Sequence, residues 1–260
     1  MFLGELTMKL ENDLEIKIPK IIHYCWFGPA QIPEIALKCI ESWERNMPEY
    51  EVRCWTEETF DVNSNIYTRK AYEEGKYAFV SDYVRLKVLY EYGGIYMDID
   101  EEVLKNFDEL LIGREMVACF ENSNSVMMGL LATIKHSKLI SEFIDIYDNW
   151  TNCGEIKYVA NPIIFTKLLT SQKKLILNGE RQELDGGKIL ILPNEYLCGY
   201  DFNVYKERIT SNTYAMQRYA GTWTNGKSSR NKKLHETLVK IIGENNYLML
   251  KKIKKFLKGE

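Results

Sequence analysis

Residues 79–100 read FVSDYVRLKVLYEYGGIYMDID, and this stretch decides the fold. Val80, Val84 and Val88 recur every four residues, which predicts a helix with one buried face. The Gly93-Gly94 pair should end that helix, because glycine accepts the left-handed conformation common at helix ends. The stretch therefore predicts a helix, a sharp stop and a strand.

The six residues after the glycines alternate in polarity. A period of two places the apolar residues in a core and the others on the opposite side of a strand, namely Ile95, Met97 and Ile99 against Tyr96, Asp98 and Asp100. Two carboxylates this close repel each other unless a cation or a proton lies between them. Carboxylate oxygens suit Mn²⁺ or Mg²⁺, ions that are often shared with substrate phosphates. Asp98 and Asp100 are therefore the candidate metal ligands.

The helix carries its own charged pair. Ser81 is predicted to cap the helix N-terminus, which would place Asp82 in the first turn. Arg85 lies three residues after Asp82, so the two side chains share a helix face. At this point two interpretations of Asp82 and Arg85 remain: a functional pair, or an ordinary ion pair on the protein surface.

The flanking sequence predicts an α/β fold. Strands are expected at 16–28 and 50–55, and helices at 33–46 and 67–74, which gives a β-α-β-α-β order before Asp100. This order is typical of a mainly parallel central sheet flanked by helices. Ligands bind such sheets at the carboxyl ends of the strands, so Trp26 and Gly28 are expected to line one cleft with Asp98.

Composition limits the possible partners and compartments. A length of 260 residues predicts one large domain at 17–228, preceded by a polar leader at 1–16 and followed by a basic helical tail at 229–260. A net charge of −3 gives no reason to expect nucleic acid. The six cysteines form no CxxC pair, which indicates reduced thiols and a cytoplasmic protein.

The last fourteen residues, 247–260, form an amphipathic basic segment. Five lysines alternate with apolar residues there, a pattern typical of helices that lie on an anionic membrane. The alternative is a helix packed on the core with a solvated lysine face.

Two other uses of an Asp-x-Asp pair do not fit. A calcium-binding EF-hand loop that began at Asp98 would need glycine where Val103 stands. A phosphatase of the haloacid dehalogenase type would need Thr or Val where Glu102 stands, and a later acidic pair that the chain lacks.

Residues 18–28 (IPKIIHYCWFG) and 81–100 (SDYVRLKVLYEYGGIYMDID) together resemble the family 32 glycosyltransferases with a DxD sugar-binding motif. The resemblance is strong over 18–110 and weak over 111–225, and the clostridial glucosylating toxins are more distant relatives. It implies a GT-A fold, a UDP- or GDP-sugar donor, Mn²⁺ or Mg²⁺, and retention of the anomeric configuration. The implied acceptor is a surface polysaccharide or a lipid-linked oligosaccharide, reached from the cytoplasm or from the inner face of the cell membrane.

The resemblance also implies roles for single residues. Asp98 would lie near the ribose, the sugar and the metal, and Asp100 would bind the metal directly. With Arg85 these are the expected catalytic residues. The residues expected to contact the donor are Trp26 (on the base), Gly28, Ser81, Asp82, Arg85, Tyr96 and Asp98.

The C-terminal part departs from the family pattern. Members often carry His shortly before a Ser-Trp pair, whereas this chain has Gln217-Arg218 and then Thr222-Trp223. Thr222 and Trp223 remain expected substrate contacts, and Arg218 could pair with diphosphate oxygens. The third metal ligand is therefore open. Two other functions also remain open: a non-catalytic protein that binds nucleotide sugars or glycans, and a toxin-like effector that glycosylates a protein.

Overall fold

The computed structural model describes residues 15, 17–154, 156–201, 204–219 and 227–257. Its helices are α1 (Glu34–Asn46), α2 (Ile66–Glu73), α3 (Tyr77–Tyr92), α4 (Asp108–Leu111), α5 (Lys138–Asn152), α6 (Asn161–Lys173), α7 (Asn194–Leu197), α8 (Lys227–Ile242) and α9 (Glu244–Leu257). Its strands are β1 (Ile21–Cys25), β2 (Glu51–Trp55), β3 (Gly94–Met97), β4 (Glu101–Val103), β5 (Met116–Asn122), β6 (Ser125–Val126), β7 (Leu130–Thr133), β8 (Gln182–Leu184), β9 (Ile189–Leu192), β10 (Tyr200–Asp201), β11 (Lys206–Glu207) and β12 (Ala215–Gln217).

The central sheet has the strand order β2-β1-β3-β7-β5-β9-β8, with β6 paired to β5. Strand β1 runs parallel to β2 and β3, and β5 runs parallel to β9. Strand β7 is antiparallel to both β3 and β5, so these two also run the same way. Five of the seven strands along this path therefore share one direction, which confirms the predicted α/β class with a mainly parallel sheet.

Hydrophobic clusters cover both faces of the sheet. Ile95 and Met97 belong to one cluster, with Trp43 of α1, whereas Tyr96 belongs to the other, with Leu86 of α3. The predicted alternation along this strand is thus correct. Tyr96 is nevertheless only 1% exposed, because helices pack on both sides of a mainly parallel sheet.

The central unit differs from its prediction at two points. Helix α3 begins at Tyr77, so Ser81 lies inside the helix, where its hydroxyl donates to the Tyr77 carbonyl at 3.2 Å. The prediction that Ser81 caps the helix is wrong, because the aromatic side chains of Tyr77 and Phe79 pack on the core and extend the helix backwards. Strand β3 ends at Met97, so Asp98 and Asp100 lie in the turn after it.

The C-terminal part returns to this turn. Strand β12 pairs with β4 in an antiparallel register that places Gln217 opposite Glu101. Two helices, α8 and α9, follow where one basic tail was predicted, and the expected boundary at 228/229 falls inside α8. Thr222, Trp223 and nearly all of the predicted leader lie outside the described residues.

Helix α9 is packed on one side only. Tyr247 is 4% exposed and its hydroxyl hydrogen-bonds the Nδ1 atom of His235 at 2.6 Å, while Leu250 and Ile253 are exposed. The burial of Tyr247 agrees with a helix packed on the core, and contact of this segment with a membrane stays a prediction. Among the described residues, no helix is both long and apolar enough to cross a bilayer.

Candidate functional site

The candidate site lies at the carboxyl ends of two adjacent parallel strands. Trp26 follows β1 and Asp98 follows β3, and the register pairs His23 with Tyr96 between these strands. Side chains that follow neighbouring parallel strands emerge at one edge of the sheet. The structure therefore brings the two sequence-predicted ends of the cleft to the same edge.

Arg85 connects the helix to the turn. Its side chain is 8% exposed, and its Nη2 atom lies 3.2 Å from Asp82 and 3.3 Å from Asp98. Its Nη1 atom donates to the Met128 carbonyl at 2.6 Å, and the guanidinium lies 4.4 Å from the centre of the Tyr96 ring. An ordinary surface pair is therefore the wrong interpretation of Asp82 and Arg85. They belong to a buried ionic node.

The two aspartates of this node are held in an unfavourable electrostatic environment. Burial raises the pKa of Asp82 to about 7, an effect that Arg85 opposes and Asp98 reinforces. Burial also raises the pKa of Asp98, although Arg85 and a 3.0 Å hydrogen bond from the Tyr96 hydroxyl favour its charged form. Arg85 alone thus does not fully compensate the two carboxylates. The node is suited to a ligand that brings hydrogen-bond donors or positive charge.

Tyr96 contacts Arg85 and Asp98 and is not exposed in an open pocket. Its ring lies under Arg85 and its hydroxyl donates to Asp98, and the residue is almost completely buried. The structure thus places Tyr96 beside the predicted ligands, where it orients them.

Asn161 supports Asp82 from behind. It is fully buried as the first residue of α6, directly after Ala160 in the cap position. Its Nδ2 atom donates to the Asp82 backbone carbonyl at 2.8 Å, and its Oδ1 atom accepts from the Tyr147 hydroxyl. This contact joins segments 79 residues apart, and no local sequence pattern could have indicated it.

The turn after β1 is fixed by two partners. Gly28 has a φ of 89°, and its N–H donates to the Glu57 carboxylate at 2.6 Å. A Cβ atom at this position would lie 2.4 Å from the Tyr77 ring, so only glycine fits. Trp26 is half-buried and its indole N–H donates to the Ala30 carbonyl at 2.7 Å. The ring of Trp26 is therefore held in place at this edge of the sheet.

Glu101 is a site residue that sequence reasoning missed. It is 0% exposed, and neither of its carboxylate oxygens has a hydrogen-bond partner among the described residues. Burial raises its pKa well above the usual range, and Asp100, Asp98 and Glu121 add to the rise. Its place directly after the Asp-x-Asp pair was the available signal. The pKa of the nearby Glu121 is raised by burial and by Asp98.

Arg218 has protein partners of its own. Its guanidinium binds the carboxylates of Glu102 and Glu207, the latter at 2.7 Å. Its backbone N–H donates to the Asp100 carbonyl at 2.8 Å, which ties β12 to the turn that carries the aspartates. The expected contact of Arg218 with a diphosphate would therefore have to compete with these two carboxylates.

The residues at the turn supply some, but not all, of the ligands that a divalent cation with a preference for oxygen needs. Within the described ranges, no three His, Cys, Asp or Glu side chains form a complete cation site. Mg²⁺ and similar ions are usually held by one or two carboxylates, with substrate phosphates filling the other positions. Asp98, Asp100 and the unpartnered Glu101 supply hard oxygen atoms of this kind. The donor set is therefore compatible with a cation that is completed by its substrate.

Comparison with known proteins identifies the region around this site. Residues 33–117 match the family described as "Glycosyltransferase sugar-binding region containing DXD motif". Inositol phosphoceramide mannosyltransferase 3 of Schizosaccharomyces pombe is 36% identical over 107 residues, which cover 40% of this chain and 30% of that protein. A protein named Toxin from Photorhabdus asymbiotica is 25% identical over 217 residues, which cover 66% of this chain and 7% of the toxin.

The chain thus spans less than a third of the length of either relative. Among solved structures, the PaToxG glycosyltransferase is similar with a TM-score of 0.49 and 23% identity, over 65% of this chain and 75% of that chain. Trp26 and Gln217 lie outside the range matched by the family.

Proposed function

We propose a glycosyl-transfer function from one premise: residues 33–117 match the family of glycosyltransferase sugar-binding regions that contain a DXD motif. The protein transfers a hexose or an N-acetylhexosamine from a UDP- or GDP-sugar, with retention of the anomeric configuration, on a GT-A fold. The observation that carries this proposal is the buried node in which Arg85 joins Asp82 to Asp98. This contact supports the proposal, because it joins the Asp82–Arg85 pair of the helix to the first aspartate of the DXD motif.

The residues divide the work of donor binding. Trp26 stacks on the base, Asp82 accepts hydrogen bonds from sugar hydroxyls, and Arg85 favours negative charge as the leaving group departs. Asp98 and Asp100 would hold Mn²⁺ or Mg²⁺, which when bound stabilises the diphosphate as a Lewis acid. Gly28 and Ser81 are proposed to line the donor pocket. Thr222 and Trp223, which lie outside the described residues, remain proposed substrate contacts.

The proposed acceptor is a surface polysaccharide or a lipid-linked oligosaccharide, used in the cytoplasm at the inner face of the membrane. The exposed apolar residues Leu250 and Ile253 lie beside Lys251 and Lys252 in α9, which supports a contact with an anionic lipid surface.

A screen of nucleotide sugars tests the donor and the reaction. A ligand that binds the native state raises its melting temperature in a concentration-dependent way, so the preferred donor in the presence of Mn²⁺ should stand out. With that donor, Asp100→Asn should lower both donor hydrolysis and transfer by about 100-fold or more, because the diphosphate loses its charge stabilisation. Full activity of the variant, or of the wild type in EDTA, would contradict the cation role. Donor binding without turnover on any acceptor would instead identify a non-catalytic binding protein.

A second candidate is an effector that glycosylates a protein. It is favoured by the similarity to the Photorhabdus toxin, which extends over 66% of this chain. Incubation of cell extract with the radiolabelled donor separates the two functions. Label in a protein band supports the effector, whereas label that extracts with lipid or polysaccharide supports the first proposal.

A further inference from the structure

Glu101 is a buried carboxylate without a described partner, placed one residue after the DXD motif. Its side chain has no hydrogen bond and no ion pair among the described residues. A buried charge in a protein is normally paired or bound to a metal, because transfer of a bare carboxylate out of water is very unfavourable. The two arginines at this turn have other partners: Arg85 binds Asp82 and Asp98, and Arg218 binds Glu102 and Glu207.

Three polar side chains converge on Gly129, the residue just before β7. A Cβ atom built on Gly129 would lie 2.9 Å from Asp98 Oδ2, 2.9 Å from Glu101 Oε1 and 3.1 Å from Gln217 Nε2. The Asp98 and Glu101 oxygens both lie 2.9 Å from this one point, so they are separated by at most twice that distance. A larger residue here would displace the ends of these side chains from their common point. The close approach thus depends on residues from three separate segments.

Strand β12 brings Gln217 to this point. The register places Gln217 opposite Glu101, and the Gln217 N–H also donates to the Cys198 carbonyl at 3.0 Å, which fixes the strand. The family pattern led us to expect a histidine ligand from this segment. The structure instead supplies an amide, whose oxygen and nitrogen can exchange places by rotation of the side chain. With the Gln217 amide rotated so that its oxygen takes the position of Nε2, Asp98, Glu101 and Gln217 would offer three hard oxygen donors.

We propose that Glu101 and Gln217 are additional protein ligands of the divalent cation, and that they take the place of the expected histidine. The inference rests on the proposed function, because it concerns the cation that would hold the donor diphosphate. Asp98 and Asp100, in the turn after β3, and Glu101 and Gln217, on the paired strands β4 and β12, would hold the ion. The donor phosphates complete the coordination.

Direct Mn²⁺ binding tests this assignment without any turnover. The full chain is titrated with Mn²⁺ alone, and again with UDP or GDP present, while the electron paramagnetic resonance signal of the free ion is followed. We expect Glu101→Gln to raise the Kd for Mn²⁺ by about tenfold or more, since a charged ligand is replaced by a neutral one of the same shape. Glu102→Gln is the matched control, because it removes one charge at the adjacent residue, whose carboxylate is held by Arg218. Its Kd should equal that of the wild type.

The outcomes separate this inference from the proposed function. One outcome is that Glu101→Gln binds Mn²⁺ with the wild-type Kd while Asp100→Asn loses Mn²⁺ binding. This result would overturn only the role of Glu101 as a ligand, and its buried carboxylate would then carry a proton. No Mn²⁺ binding by the wild type under either condition would overturn the cation role of the whole site. Gly129→Ala provides a second variant that keeps all carboxylates but separates them. It should also weaken Mn²⁺ binding, and unchanged binding would contradict the proposed convergence.

Discussion

At the scale of single residues, Arg85 is a buried cation that holds two carboxylates together. It contacts Asp82 on its own helix and Asp98 beyond the next strand, and it lies against the Tyr96 ring. Loss of one partner from such a buried pair typically costs about 3–5 kcal/mol, because the other charge is left uncompensated. Arg85 therefore has a structural role that is independent of any ligand, and a loss of activity on its substitution would not by itself demonstrate catalysis.

His23 offers a residue-scale prediction on pH. Its Nε2 atom lies 2.9 Å from the Gly93 carbonyl and its Nδ1 atom accepts from the Trp55 indole at 3.1 Å, so the neutral ring is fully engaged. Burial is the main cause that lowers its pKa to about 4. The unfolded chain takes up a proton near pH 6.5, whereas the native state does so only near pH 4. The free energy of unfolding should therefore fall by about 3 kcal/mol as the pH decreases through this window.

Urea unfolding between pH 7.5 and 4 measures this effect. His23→Gln should remove most of this part of the pH dependence, whatever it does to stability at pH 7.5. The control is His136→Asn at an exposed position with a φ of 57°, a conformation that asparagine tolerates. Equal pH slopes for the wild type and His23→Gln would show that His23 does not titrate in this way.

At the scale of elements, the junction between α3 and β3 sets the position of the aspartates. Gly94 has a φ of 99°, and a Cβ atom there would lie 2.5 Å from the Ile21 carbonyl of the neighbouring strand. A strained backbone conformation alone costs roughly 1–3 kcal/mol. We expect Gly94→Ala to lower the free energy of unfolding by more than this, because the added methyl group must also push strands β1 and β3 apart.

Gly75→Ala is the matched control for this junction. Gly75 also has a positive φ, 68°, but no atom lies within 4 Å of its added Cβ. Its substitution should cost only the conformational term, about 1–2 kcal/mol. Denaturant unfolding of both variants gives the comparison, and equal losses would mean that the close approach of Gly94 to Ile21 is unimportant.

Local patterns in the sequence predicted most of this unit. The helix period, the two glycines and the alternating strand located α3, β3 and the two aspartates, because each signal arises from residues that are close in the chain. They could not indicate that β7 inserts antiparallel between β3 and β5, or that β12 pairs with β4. Those pairings join distant segments, and they are what bring Gly129 and Gln217 to Glu101. Glu101 itself had a local signal, its place directly after the two aspartates, but its neighbours in space depend on long-range pairing.

At the scale of the whole molecule, the two C-terminal helices expose six large apolar residues among their described side chains. They pack on the remainder through Tyr247 and through the contact of the Tyr200 hydroxyl with Glu236 at 3.0 Å. Glu244 at the start of α9 also binds Lys206 and Arg208, each at 2.7 Å. The large apolar residues that remain exposed on these helices are Leu234, Leu238, Ile241, Met249, Leu250 and Ile253. A packed base with an exposed apolar and basic side is the arrangement expected of a surface that contacts lipid.

Flotation with vesicles tests this expectation on the full chain. We expect the wild type to float with vesicles that contain phosphatidylglycerol and less with pure phosphatidylcholine, because lysines are attracted to anionic headgroups. Combined Met249→Ser, Leu250→Ser and Ile253→Ser should abolish flotation without unfolding the protein, since all three side chains are exposed. The control variant carries serine in place of Ile176 and Leu177, two exposed apolar residues that follow α6. This variant should float like the wild type. Raised salt should weaken binding, because it screens the charge attraction. Equal recovery of the triple variant and the wild type with anionic vesicles would show that α9 does not bind the membrane.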